Sequence, residues 1–412
     1  MDTRTISATL TGIRRLAVSR QHLAGRLPRR ASADDIVTAI RDLPYVQWDP
    51  VTVVAPSHII SLWNRLGDFR VADLDRLMWR DRKVLLHWTP IASLVLTEDY
   101  PIYRSLMGRY PESLTKSWGN HIPRAKHFLA RHVKLRKRVL RELEGGPLKP
   151  TQFQDYRSKR SEDGWSSGSD VSTMLFHLHM RGEVMVVGRE GNQNIWGLSE
   201  GFLPDWTPRD GLSEDEFERE AAQKAIRGLG TATLREVHYY FPPGRYQNLK
   251  STLARLQDES ATHRLKVEGL EEKGERYIHD RDVPLLESVT AGAWEPRVSL
   301  LPPFDNMLRQ HSRVFGFDYV REQFLPKEKR RFGTYVLPVL WGERFIGRID
   351  PQFDRKSERL MINSVHEEPG AHVGKDVPPM ISEAIARLSD FIGAKEVVYG
   401  GPVPASWKSA LR

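Results

Sequence analysis

Gln47 and Asp49 are the residues from which chemistry could start. They lie in the stretch Pro44-Tyr45-Val46-Gln47-Trp48-Asp49-Pro50-Val51, which is short, apolar and β-leaning. Successive side chains on a strand point to opposite faces, so the amide and the carboxylate share one face. Val46 and Trp48 then look the other way, into a core. A carboxylate and an amide held side by side can position a water molecule and face a developing positive charge. The same residues also suit a structural role, with Asp49 capping the turn at Pro50. From these residues alone the structural role is favoured, because structural polar pairs are common.

The elements around this stretch read in sequence as follows. Residues 9–23 have helical apolar spacing, with Arg14 and Arg15 turned outward. Ser32 is a candidate N-cap, followed by acids in the first turn, for a helix that Pro44 stops. Residues 56–66 read as a helix holding His58, a half-buried core histidine. Residues 71–79 read as a helix and 83–88 as a strand. A single long helix over 123–143 carries the densest basic run in the chain, including Arg131, Lys134 and Arg138. A solvated face and a phosphate-contacting helix fit that run equally. Beyond the Gly145-Gly146-Pro147 boundary come a short helix at 151–156, a helix from Ser169 to Met180, and strands on either side of a polar turn at 189–194. His177 and His179, two apart on a helix, point to different sides and read as structural, so no metal site is expected. Helices at 213–229, 231–240 and 245–257 lead to a second hairpin around Gly274. From residue 291 the texture becomes strand-like, with a basic cluster at Lys329, Arg330 and Arg331.

The pattern is compatible with, but does not by itself prove, an α+β protein of tandem winged-helix domains with a β-rich C-terminal domain. The expected divisions are 1–144, carrying the Gln47/Asp49 motif, then 145–212, 213–290 and 291–412. The whole chain has 412 residues, enough for roughly two to four domains. It contains no cysteine, which excludes disulfides, thiolate metal sites and a thiol nucleophile. With no apolar run of about eighteen residues, no transmembrane helix is expected. The start, Met1-Asp2-Thr3-Arg4, lacks a signal-peptide core, so a cytoplasmic, nucleoid-associated protein is expected. Lys plus Arg number 62 against 53 for Asp plus Glu, and the pI is near 9.6. That excess makes a polyanion, nucleic acid first, the candidate partner.

Four stretches in order carry a family resemblance. Gln47-Trp48-Asp49-Pro50-Val51 resembles the Gln-apolar-Asp motif of the AlkZ/YcaQ-type winged-helix DNA glycosylases. Leu300-Leu301-Pro302-Pro303-Phe304-Asp305-Asn306, Phe315-Gly316-Phe317-Asp318-Tyr319 and the run from Lys329 to Pro338 resemble that family as well. The resemblance reverses the structural reading of Gln47 and Asp49. It implies tandem winged helices around duplex DNA, no cofactor, a monomer, and hydrolysis of the N-glycosidic bond of N7-alkylated purines, with unhooking of interstrand crosslinks in some members. Asp at the second polar position marks the YcaQ-like branch. Asp49 would stabilise the sugar cation and take a proton from water, and Gln47 would orient that water. The basic groups Arg131, Lys134, Arg138, Lys329, Arg330 and Arg331 would contact phosphates. One departure stands out: where the family pattern leads one to expect a histidine, this chain has Trp88-Thr89-Pro90, so no histidine role carries over. The competing function is a non-catalytic winged-helix DNA-binding protein or regulator, and behind it an RNA-binding or structural protein; either needs the basic surface without the Gln/Asp pair.

Overall fold

The computed structural model describes residues 5–89, 91–114, 121–154, 169–272, 274–309, 312–371 and 373–411. Met1 to Arg4, Pro90 and the end of the expected 151–156 helix lie outside them.

Capping chemistry sets the helix starts. Ser32 Oγ accepts from the Asp35 N–H while Asp35 returns a bond to the Ser32 N–H, opening the helix Ala33–Asp42. Ser213 with Glu216, and Thr233 with Glu236, do the same for Glu214–Leu229 and Leu234–Tyr240. Ser169 alone caps Asp170–Met180. The expected long basic helix is two helices, His121–Arg131 and Val133–Glu144. They break at His132, whose ring stacks on Phe128 at 4.2 Å and whose backbone is non-helical. Both halves share one charge pattern, so composition gives no sign of the break.

The motif strand is only Val46–Gln47, at the edge of a three-stranded sheet with Ala92–Leu96 central and Val84–Trp88 outer. Val46 pairs with Leu94 and Gln47 with Ser93. Trp48 N–H still donates to the Ala92 carbonyl at 2.8 Å, and then the chain leaves the sheet. Asp49 therefore sits just past the strand that was expected to carry it.

Among the described residues three further sheets complete the mixed α+β fold. The hairpin Val184–Glu190 and Gln193–Leu198 runs further than expected, because Glu190 pairs with Gln193 and only Gly191 and Asn192 form the turn. A four-stranded sheet is ordered Thr5–Thr9, Thr262–Glu268, Arg276–His279, Thr231–Thr233. Its first pair is parallel, and Thr5–Thr9 forms an edge strand on the sheet of the 213–290 segment. The C-terminal sheet has five strands, from Val298–Leu300 through Leu337–Trp341, Arg344–Asp354 and Arg359–Glu367 to Glu396–Tyr399, beside the helix Val377–Phe391.

The cores cross these segments. One contains Ile40, Val46 and Trp63 with Phe128, Leu175, Leu337 and Ile381. A second contains Tyr45 and Leu85 with Phe217, Ile226 and Leu253. Tyr45 and Val46 alternate between the two, so the motif strand is wedged between both cores. Burial of large apolar side chains on both sides holds its backbone in place. Among the described residues no helix is long and apolar enough to cross a membrane.

Candidate active site

The backbone around Gln47 and Asp49 is gripped from the C-terminal region. Asn306 Nδ2 donates to the Leu43 and Tyr45 carbonyls, at 3.2 and 2.9 Å. Its neighbour Asp305 forms a bidentate pair with Arg65, at 2.6 and 2.9 Å, with both side chains fully buried. Arg65 also donates to Gln21 Oε1 and to the Ser61 carbonyl. On the other side of the motif, Phe353 N–H donates to the Val53 carbonyl at 2.9 Å. Arg355 donates to the Thr52 and Val54 carbonyls. The Pro302–Asn306 turn and the strand Arg344–Asp354 thus clamp the motif before and after Asp49.

Asp49 combines the structural and the chemical expectations. Its Oδ1 accepts from the Val51 N–H at 3.2 Å, which is the turn cap. Its Oδ2 is covered by protein and has no hydrogen-bond partner among the described residues. The residue is 8% exposed. Burial raises its carboxyl pKa above the ordinary value, with the Val51 N–H opposing. Gln47 is half-buried two positions earlier, at the end of the strand.

Of the surrounding groups, only His58 was singled out by sequence. Tyr335 is fully buried, and burial first, then the Asp49 carboxylate, push its phenol pKa up, while Ser57 opposes. Tyr335 is placed by Asp350, whose Oδ1 accepts from the Thr334 and Tyr335 N–H groups at 3.1 and 2.8 Å. His58 is not half-buried as expected but buried, stacked on Trp48 at 4.0 Å. Burial holds its pKa down to about 3, with the Asp49 backbone opposing and Arg189 adding to the depression. It is neutral at pH 7 and acts as a packing plate. Arg189, from the hairpin of the 145–212 segment, lies 5.2 Å over the other partner of that stack, Trp48. Trp48 is therefore only partly turned into the core. Asn306 and Tyr335 lie in the stretches that carried the resemblance; Arg189 had no sequence signal, because its contact is made only by the fold.

The histidines behave as structural groups. His177 Nδ1 meets the Tyr110 hydroxyl at 2.5 Å, and His179 Nε2 meets His87 Nδ1 at 2.9 Å. At the departure from the family pattern, Trp88 stacks on Trp196 at 6.1 Å and Thr89 is buried. Among the described residues no cluster of three or more His, Asp or Glu could hold a metal ion.

The basic residues divide by exposure. Arg131 ends its helix and is exposed, as is Lys134. Arg138 is half-buried, 3.6 Å from Glu142. Lys329 and Arg331 are exposed, and the Arg331 guanidinium lies 4.8 Å over the Phe332 ring. Arg330 is half-buried and spends two donors on the Leu325 carbonyl and Thr334 Oγ1. The 329–331 cluster runs directly into Tyr335 and so to Asp49. The helix Val133–Glu144 packs on Asp170–Met180 and on the hairpin strand Gln193–Leu198, whose partner strand carries Arg189.

A desolvated carboxylate just past a strand that ends on an amide residue, on a basic mixed α+β frame, suits a hydrolase acting on an anionic polymer. The family model described as DNA glycosylase AlkZ-like matches residues 40–391, and the chain belongs to that family of DNA glycosylases. Among solved structures, the Streptomyces sahachiroi DNA glycosylase AlkZ is similar over 96% of this chain and 100% of its own, with a TM-score of 0.67 at 17% identity. At that identity the likeness shows a shared fold.

Proposed function

We propose that this glycosylase is a YcaQ-like member that releases N7-alkylated purines from duplex DNA, including those joined in interstrand crosslinks, with Asp49 as the catalytic carboxylate and Gln47 as its partner. The observation that carries this is the state of Asp49: one oxygen anchored, the other without a donor among the described residues, and the group desolvated.

A purine alkylated at N7 already carries positive charge, so it leaves without prior protonation. The C1′–N9 bond breaks, its electron pair neutralises the purine, and the sugar passes through an oxocarbenium-like state. The Asp49 carboxylate faces that cation and takes a proton from the attacking water, whose oxygen bonds to C1′. Gln47 orients the water. One carboxylate suffices where ordinary glycosides need two. Because Oδ2 is covered in the free protein, DNA binding has to open a path to it. The contact of Arg189 with Trp48, which joins the hairpin to the motif, is the place where such opening would occur.

The proposal includes tandem winged-helix units at 1–144, 145–212 and 213–290 with the β-rich segment 291–412, acting as a cytoplasmic, nucleoid-associated monomer on duplex DNA. Helix followed by hairpin at 170–198 and again at 214–279 supports it. The direct test is release of N7-methylguanine from alkylated duplex and strand separation of a crosslinked duplex. Absence of both with the purified protein would sink it and favour a non-catalytic DNA binder.

The phosphate contacts have their own test. Changing both Lys329 and Arg331 to Gln is expected to reduce the slope of log affinity against log salt by about 2. An unaltered slope removes the cluster from the DNA interface. Lys134→Gln, at an exposed position of the basic helix, is expected to reduce the slope by about 1.

A further inference from the structure

The two most exposed large apolar side chains among the described residues lie in one loop: Phe324 at 71% and Val320 at 56%. A single exposed apolar side chain is ordinary, but two in one anchored loop among cations make a local apolar surface that a partner can cover. This loop is not loose. Glu322 is buried, and its Oε2 accepts from the Phe332 and Gly333 N–H groups at 2.7 and 3.1 Å. Phe324 N–H donates to the Arg321 carbonyl at 3.2 Å, and Leu325 N–H to the Glu322 carbonyl at 2.9 Å. Behind the exposed ring stands Phe304, centroid 6.2 Å away and edge-on at 61°. Arg321 lies 5.6 Å over Phe304.

Both roots of this platform reach the active site. Phe304 is two residues from Asn306, which holds the Leu43 and Tyr45 carbonyls ahead of Gln47. Gly333, which Glu322 binds, is two residues from Tyr335 beside Asp49. The charge around the ring names its partner class. Within 320–331 the exposed cations are Arg321, Lys327, Lys329 and Arg331, against one exposed acid, Glu328. A fixed ring amid cations suits a polyanion that also offers flat apolar faces, which is a nucleic-acid duplex.

We propose that Phe324 is an apolar wedge that enters a groove of the bound duplex at a base step beside the target and bends the DNA over the Asp49 site. This rests on the glycosylase function proposed above. A base crosslinked to the opposite strand is tethered and does not swing fully out of the helix, unlike the targets of base-flipping enzymes. Opening a step from the groove exposes the deoxyribose without freeing the base. The lost stacking is offset by contact with the ring and by phosphates brought onto Lys327, Lys329 and Arg331.

The test uses the full chain and a short undamaged duplex carrying donor and acceptor dyes at its two ends. Binding is read by anisotropy and bending by energy transfer, for wild type, F324A and F324W. Wild type and F324W are expected to bind and to raise energy transfer. F324A is expected to bind about tenfold more weakly, without the rise, and with a shallower salt slope, because unbent DNA does not bring its phosphates onto Lys327, Lys329 and Arg331. Phe324 being exposed, its loss should leave the far-UV spectrum unchanged. Bending by F324A equal to wild type, or wild-type binding with no bending, overturns the wedge while leaving the glycosylase function standing. Failure of the wild type to bind any duplex overturns both.

Discussion

Asp49→Asn lowers release of N7-methylguanine from duplex DNA by about three orders of magnitude and leaves DNA affinity nearly unchanged; that is the expected result of a single-turnover assay paired with a binding titration. The magnitude combines loss of a proton acceptor with loss of a charge facing the sugar cation in a desolvated site. Asparagine keeps the size of the side chain and an oxygen for the Val51 N–H, so the turn survives. Unchanged release would remove Asp49 from the mechanism. The pH dependence has a definite sign. Burial raises the folded-state pKa of Asp49, so the active carboxylate form is lost, as pH falls, at a higher pH than an ordinary aspartate would show. Linkage gives stability the opposite sense. A raised carboxyl pKa means the ionised group costs stability above that pKa, so Asp49→Asn should leave the unfolding midpoint at neutral pH unchanged or higher. Loss of activity with a lower midpoint would point to damage to the fold instead.

The second large effect is on stability. Asp305→Ala is expected to cost about 3–5 kcal/mol, because it leaves the Arg65 guanidinium buried and unpaired. Denaturant unfolding reads it directly through the midpoint. The damage should extend to the active site, since Asn306 is adjacent and holds the carbonyls on either side of Pro44. A double change, Arg65→Met with Asp305→Leu, removes both charges and is expected to recover much of the stability. If Asp305→Ala proves nearly neutral, the buried pair is not what joins the helix Ser57–Leu66 to the Pro302–Asn306 turn.

Much of the local structure could be read from residue order. Ser32, Ser169 and Ser213 announced helix starts because capping depends on neighbours three residues apart. The break at His132 and the strand Arg359–Glu367 could not be read so, because each depends on what packs against it. His58 shows the same limit: its burial comes from stacking on Trp48, next to Asp49 but nine residues or more away along the chain.

The amino-acid sequence by itself determined the chemistry available to this protein. It placed one amide and one carboxylate two positions apart, supplied an excess of cations, left out cysteine, and encoded the turns and caps that start its helices. Only the tertiary structure decided the environment of that pair. It ended the strand before Asp49, buried the carboxylate, and brought Tyr335 and Arg189 to the motif from distant segments. The physical reason is that capping and periodicity act over a few residues, whereas desolvation and the fields that shift a pKa depend on atoms brought close by folding, whatever their separation along the chain.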